Sequence, residues 1–393
     1  MTEKIFYQDA SAHTATAKVI ATGTDELGKY AVLDRSCFYP EGGGQPADNG
    51  LIGEIEVMDV QTVDGEVRHY TARAIDKGEY TTAIDWQRRF DHMQQHTGQH
   101  LLSAVFEDEF GLATISFHLG MERVSIDLDV PGISAEQLKT VEQQVNHMIT
   151  RQLPIETEWV TQEQASRLSL RKKPAVEGDI RLVKIGDIDI NACGGTHLGN
   201  TGELGLIKII RTEKAKRATR VYFLCGNRAM SHFDLLQSVT DKLTKSLNVP
   251  PVELPEAAAA VLSDRKEKEK QLNKLTLQLL EAEAESLRPD GNILVKDFSG
   301  RPFKEVQRLA KLTAEKQSSL YLLFLVQEDS NMRIVCAKGI TAIGNMKGVL
   351  EKLVESGGGK AGGTDELAQG VGLLIDDPEI YITAFQNIIK EIT

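Results

Sequence analysis

Asp91-His92-Met93-Gln94-Gln95-His96-Thr97-Gly98-Gln99-His100-Leu101-Leu102-Ser103-Ala104-Val105-Phe106 reads as an amphipathic helix capped by Asp91, with imidazoles along its polar N-terminal half. Almost a hundred residues later, Asn191-Ala192-Cys193-Gly194-Gly195-Thr196-His197 follows the strand-like run 185–190, and its two glycines let the backbone fold close to an ion. His96/His100 and Cys193/His197 each place two ligand-type side chains four positions apart. A helical turn or a tight glycine turn aims such a pair at one point. One pair alone is commonly a packing coincidence, but two of them make a tetrahedral zinc set of His96, His100, Cys193 and His197.

A third imidazole, His92, shares the helical stripe. At ~1.5 Å rise per residue, His92 and His100 stand roughly 12 Å apart, too far for both to reach one ion through bonds of ~2.0–2.1 Å. The helical ligands are therefore 92/96 or 96/100. The second pair is preferred, with His92 in the opening turn as an outer or substrate contact.

Outward from these motifs, 393 residues can fold as two or three domains with their own cores. No apolar run approaches the ~20 residues of a membrane helix, and the N-terminus lacks a signal pattern, so the expected location is the cytoplasm. Cys37, Cys193, Cys225 and Cys336 are scattered, as suits reduced thiols and a metal ligand. A net charge of −12 argues against a generic nucleic-acid binder. Basic residues nevertheless cluster at Arg211, Lys214, Lys216, Arg217 and Arg220, and at Arg167, Arg171, Lys172 and Lys173, beside the second ligand pair. These are candidate phosphate contacts.

The expected fold class is α+β multidomain. Residues 1–85 alternate short β-rich runs with turns, as a small N-terminal β-barrel would. Its loop Gly42-Gly43-Gly44-Gln45-Pro46 allows close backbone approach by Gly43 and Gly44, while Gln45 presents an amide. Residues 86–226 mix helices with strands around both ligand pairs, giving the α/β zinc-containing domain. Residues 227–290 turn helical, with Leu262, Leu272, Leu275 and Leu279 suggesting a helical hairpin or coiled coil, and with it a possible homodimer. Residues 291–393 form a C-terminal α/β domain, whose glycine-rich loop 356–364 lacks the Gly-Lys-Ser/Thr of a Walker loop but suits phosphate or sugar contact.

With these residues laid out, the chain resembles the long-form AlaX-type alanyl-tRNA editing proteins, freestanding relatives of the editing and C-terminal parts of alanyl-tRNA synthetase. The carriers are the Gly42–Pro46 loop, His96-Thr97-Gly98-Gln99-His100, Cys193-Gly194-Gly195-Thr196-His197 and the Gly357–Gly363 cluster, in that order. The resemblance implies zinc on His96, His100, Cys193 and His197 and hydrolysis of the ester joining a wrong amino acid to tRNA(Ala). It implies a DHH-associated C-terminal domain that grips tRNA through Gly357, Gly358, Gly359, Lys360, Gly362 and Gly363. Arg217 and Arg220 are added from the basic cluster. The matching pieces span the chain, so no adenylation domain is expected and editing would occur in trans.

A pocket that accepts alanine rejects serine poorly, whereas a second site built to bond the extra hydroxyl can discriminate strongly. Thr114 and Gln45, with Gly43 and Gly44, are the substrate-binding candidates. Thr114 looks like the family's serine-sensing position. Serine is the expected target, with glycine open. Four protein ligands favour zinc that positions substrate with Lewis-acid assistance. A zincin peptidase is disfavoured because Thr97 stands where its Glu is needed. The remaining alternative is a non-catalytic, zinc-stabilised RNA-binding and dimerisation protein.

Overall fold

The computed structural model describes residues 2–393 apart from 121–122, 172–177, 329–330, 356–358 and 375–377. It divides into two compact units, Met1–Lys242 and Leu243–Thr393.

In the first unit, strand Thr14–Asp25 pairs with Gly28–Leu33 on one side and Gly78–Ile84 on the other, and Gly50–Ile52, Ile55–Val63 and Glu66–Thr71 close a six-stranded barrel. Period-two patterning sends Ala17, Val19, Ala31 and Leu33 into its interior, and a bulge between Val57 and Asp59 brings Val57 and Val60 in beside them. Leaving the barrel, the chain enters the helix Trp86–Phe110 directly.

That helix begins earlier than the sequence suggests. Asp85 is the cap and accepts from the Arg88 N–H, while Asp91 forms a forked ion pair with Arg228. Nor is its N-terminal half a solvent face: Arg89 and 92–98 are buried. Those polar side chains find their partners internally. The Arg89 guanidinium is clasped by Asp48 and donates to the Cys37 and Ala10 carbonyls. Gln95 exchanges two hydrogen bonds with the Cys225 backbone, and Gln94 bonds Glu203 and Asn227. Amphipathicity misleads here because the polar stripe is covered by other elements rather than by water.

The helix packs on a four-stranded sheet in the order Ile207–Ala215, Ala218–Cys225, Val124–Leu128, Thr114–Leu119. Leu101, Leu102, Val105 and Phe106 meet Ile126, Leu128, Val221 and Phe223, with Val141, Val145 and Ile149 of helix Ala135–Thr150 completing the core. Ser134 and Gln137 cap that helix reciprocally. A second sheet, Ile155–Val160, Ile180–Ile185, Asp189–Ala192, carries the Cys193 loop at its end.

In the second unit, helix Leu254–Ser286 leads to a five-stranded sheet in the order Ile293–Asp297, Tyr321–Glu328, Asn331–Lys338, Leu367–Leu374, Lys360–Gly363. Alternate residues of its second strand face opposite layers. Leu323 and Leu325 pack with helices Met346–Glu355 and Pro378–Ile392, whereas Leu322 and Phe324 pack with helix Phe303–Lys316 and with Leu280 and Ala284 of the long helix. Leu262, Leu272, Leu275 and Leu279 are exposed. The glycine-rich stretch read as a loop is instead an edge strand from Lys360 to Gly363, paired with Gln369 and its neighbours. Gly363, at φ 145°, opens the tight turn closed by the Thr364 N–H to Leu367. Gly357 and Gly358 lie outside the described residues.

Candidate metal centre

His96 and His100 project from one face of the central helix, and Cys193 and His197 from the glycine turn after strand Asp189–Ala192. One donor atom from each lies within 4.8 Å of the others. Zinc bonds of ~2.3 Å to sulfur and ~2.0–2.1 Å to nitrogen, at a tetrahedral angle, require S···N separations of roughly 3.5 Å. Cys193 Sγ stands 3.4 Å from His96 Nε2 and 3.3 Å from His197 Nε2. The donor set fits a closed tetrahedral site.

Three orienting contacts reinforce the fit. His96 Nδ1 faces Gln45 Oε1 at 3.1 Å, His197 Nδ1 faces Thr97 Oγ1 at 3.2 Å, and His100 Nδ1 faces Asp189 Oδ2 at 2.9 Å. A carboxylate or amide oxygen accepts only, so His96 and His100 donate from Nδ1 and keep Nε2 free for an ion. Asp189 is buried and is itself held by Arg171 Nε at 2.8 Å and by the Asn191 amide.

The electrostatics follow from this packing. Burial works against charge on the Cys193 thiol, yet the His96 and His197 imidazoles hold it well below its usual value. Burial also opposes protonation of His100, but Asp189 and Cys193 outweigh it and keep the imidazole up at about 10. His197 is pushed down to about 3 by burial and by its neighbour His96. A sulfur favoured as thiolate and imidazoles aimed by fixed acceptors suit a zinc ion, whose binding would displace the second proton that His100 otherwise holds.

Gly195 is the hinge of this arrangement: a Cβ there would stand 2.2 Å from His96 Cε1 and 3.0 Å from Gln45 Oε1. At Gly194 the nearest atom is the Tyr7 hydroxyl, at 3.8 Å. Of the two glycines named from the sequence, Gly195 is sterically tied to a ligand, whereas Gly194 meets the Tyr7 hydroxyl at ordinary contact distance.

His92 lies outside the cluster. It is buried, its Nδ1 has no hydrogen-bond partner among the described residues, and burial together with Arg88, Arg228 and Arg89 pushes it down to about 3. With the helix starting at Trp86, it is no longer in the opening turn. Gln45 is also placed differently from its expected role. It is fully buried, with its amide spanning Thr196 and His96, so it fastens a ligand instead of presenting itself to substrate. The turn that delivers it needs Gly43 and Gly44 at φ 58° and 82°, and Gly44 packs against Phe117, which stacks on His96 at 5.3 Å.

A cavity of ≈ 460 Å³ opens on the cluster. His96, His100 and Cys193 form one wall, Gly43 and Phe117 another, and Gln99, Ser103, Thr114, Ser116 and Asn191 supply polar groups. Ser103 Oγ and Thr114 Oγ1 are 2.7 Å apart, and Gln99 donates to Ser103 at 2.9 Å. Thr114 opens strand Thr114–Leu119 and lines this cavity. Ser103, Gln99 and Asp189 were missed, although Ser103 lies one turn beyond Gln99 on the ligand helix and Asp189 two residues before Asn191.

The basic clusters resolve unequally. Arg171 is committed to Asp189 and Asp108, and Arg220 makes a forked pair with Asp127, which removes both as free phosphate contacts. Arg211 lies over Tyr222 and pairs with Glu213, and Arg167 pairs with Glu163. Lys214, Lys216 and Arg217 sit exposed at the tip of the hairpin Ile207–Ala215/Ala218–Cys225 and form no ion pair with a described residue. Lys172 and Lys173 lie outside the described residues. Gly359, Lys360, Gly362 and Gly363 belong to the second unit, where Lys360 is exposed.

Residues 180–222 match the family model described as the threonyl and alanyl tRNA synthetase second additional domain. Over 389 residues the chain is 32% identical to alanyl-tRNA editing protein AlaX-L of Pyrococcus horikoshii, with 94% of each chain covered. It is 40% identical over 225 residues to the alanyl-tRNA editing protein Aarsd1 of Bos taurus, 56% of this chain and 51% of that protein. Against the alanine–tRNA ligase of Pyrococcus abyssi it is 30% identical, spanning 99% of this chain and 43% of the ligase. Similarity across nearly the whole length, with the ligand quartet gathered in space, makes the chain a member of the alanyl-tRNA editing protein family in its AlaX long form.

Proposed function

We propose that the protein is a trans-editing deacylase that hydrolyses the ester of mischarged tRNA(Ala), with Ser-tRNA(Ala) as its main substrate and Gly-tRNA(Ala) as a lesser one. The observation that carries this reading is the convergence of His96, His100, Cys193 and His197, with the first three lining a cavity whose other walls hold hydroxyl and amide groups. Those four residues would hold zinc. When bound, the ion supplies Lewis-acid polarisation and a fixed anchor for the substrate.

The chain's own groups account for selection. The Ser103/Thr114 hydroxyl pair, steadied by Gln99, can exchange hydrogen bonds with a seryl hydroxyl. An alanyl group leaves that pair without its additional partner, the costly outcome for groups taken out of water. Gln45, Thr97 and Asp189 hold the imidazoles so that nothing at the centre reorganises as substrate enters. The exposed Lys214, Lys216 and Arg217 supply local positive charge for the tRNA backbone on an otherwise acidic chain. The segment 291–393, including Lys360, is assigned to the tRNA body, and the exposed leucines of 254–286 to a dimer seam.

Hydrolysis of Ser-, Gly- and Ala-tRNA(Ala) by the purified chain tests the reading. Release of serine with Ala-tRNA(Ala) spared is the expected result. Failure to hydrolyse any of the three would leave the non-catalytic RNA-binding alternative.

A further inference from the structure

Trp159, Arg181 and Cys193 form one transverse row across the three-stranded sheet of the first unit. Trp159 faces Arg181 in the antiparallel ladder, and the Cys193 N–H donates to the Arg181 carbonyl at 3.1 Å, one step beyond the Leu182–Ala192 pair. Directly opposed residues carry their side chains to the same face, and neighbouring strands lie about 4.8 Å apart. The Trp159 backbone therefore stands roughly 10 Å from that of the thiolate ligand, two strand spacings away.

The side chains in between are continuous. Arg181 is buried, and its Nη1 donates to the carbonyls of Cys193 and Gly195, each at 2.9 Å. Its guanidinium carbon lies 5.1 Å from the Tyr7 ring centroid, and Tyr7 meets Trp159 edge-on at 5.6 Å. The Tyr7 hydroxyl borders Gly194 of the ligand loop, and Lys4 Nζ lies 5.7 Å from the Tyr7 ring. Trp159 is nevertheless 56% exposed. An indole left half in water, seated on a tyrosine with two cations alongside, is costly surface for a core to leave open. It matches the aromatic and cationic platforms on which unpaired nucleobases stack.

We propose that Trp159 and Tyr7 form the stacking platform for the unpaired 3′ end of the acceptor strand, with Lys4 beside it for a phosphate. This rests on the deacylase reading, because the scissile ester is carried by the ribose of the terminal nucleotide. A base attached to that ribose, or the next one along the strand, falls within the span from Cys193 to Trp159.

The chain has two tryptophans. Trp86 lies between His13 and Phe90, so Trp86→Phe leaves Trp159 as the fluorescent reporter. Titration with uncharged tRNA(Ala) should quench it, and the same tRNA lacking its unpaired 3′ nucleotides should not. Trp159→Phe in the otherwise unchanged chain serves as the reciprocal control and should lose that quench. In deacylation, Trp159→Ala should raise KM roughly five- to hundredfold, the range for loss of one stacked base, with zinc content and kcat near wild type. Trp159→Phe should recover most of the loss. Equal quenching by intact and shortened tRNA, or an unchanged KM in Trp159→Ala, overturns the platform. Absence of hydrolysis by the wild-type chain would instead refute the deacylase reading, while the quench with uncharged tRNA would still judge the platform.

Discussion

Gly195→Ala is the sharpest perturbation the centre offers. The added methyl carbon would sit 2.2 Å from His96 Cε1, against 3.4 Å for an ordinary contact, so the ring must withdraw by the difference, 1.2 Å. Gln45 Oε1, 3.0 Å from the same methyl, closes the simplest adjustment and is also the acceptor that aims His96. Metal–ligand distances tolerate about 0.2 Å, so the displacement is several times what coordination can absorb. Loss of an orienting contact alone weakens zinc about 10–100-fold. Misplacing the ligand as well should exceed that, with about 1–3 kcal/mol of overpacking cost besides. Competition against a chromogenic chelator gives the affinity, and melting with and without added zinc gives the stability. Gly194→Ala, whose methyl meets only the Tyr7 hydroxyl at 3.8 Å, is the matched control and should keep zinc. Retention of zinc within twofold by Gly195→Ala would refute the assignment of His96 as a ligand held between Gly195 and Gln45.

Further expectations concern other groups. Asp189→Asn should weaken zinc about 10–100-fold, because the His100 Nδ1 loses its anionic acceptor; wild-type affinity in the chelator assay would show that Asp189 does not orient the ligand. Thr114→Val should cost about 1–3 kcal/mol of serine-over-alanine preference, roughly five- to hundredfold, as the ratio of kcat/KM for the two charged tRNAs. An unchanged ratio would remove Thr114 from the pocket's chemistry. His69, buried in the barrel between the Ser36 hydroxyl and the Ala31 carbonyl, is pushed down to about 4 by burial. Its ordinary value is ~6.5, so the neutral form folds. Its contribution is whole above about pH 6.5 and is lost as pH falls through 4, roughly 3 kcal/mol in all. His69→Gln should flatten the decline of melting temperature across that window, and an unaltered decline would contradict the buried neutral imidazole.

The ligand quartet was legible because metal geometry leaves a local mark: two pairs at one-turn spacing, the second with glycines in its turn. What holds the quartet was harder to read, since Asp189, Thr97 and Gln45 act across separations in sequence that no local pattern records. Gln45 shows the difficulty well. Three glycines before an amide imply close approach to something, but the sequence does not say that the something is His96 of the same chain. The early start of the central helix was hidden for a related reason. Asp91, the residue read as its cap, is paired with Arg228, 137 positions away in sequence, and Asp85 caps the helix instead. The hairpin Ile207–Ala215/Ala218–Cys225 turns at Lys216, whose positive φ of 56° is met without a glycine and leaves the turn unmarked in the sequence. Strand Tyr321–Glu328 shows no alternation, because its apolar run from Tyr321 to Val326 is buried on both faces. The edge strand Lys360–Gly363 was taken for a loop because glycines carry no face.

The proposed deacylase activity depends on one zinc ion held by His96, His100, Cys193 and His197, whose donor atoms the fold gathers. The most direct measurement is the rate of amino-acid release from Ser-tRNA(Ala) and Ala-tRNA(Ala) by the zinc-loaded protein, by the chelator-stripped protein and after zinc is restored. The expected result is serine release that disappears with the metal and returns with it, while Ala-tRNA(Ala) stays intact throughout. Serine release undiminished in the stripped protein, or equal release of alanine, would rule out a zinc-dependent, serine-selective deacylase.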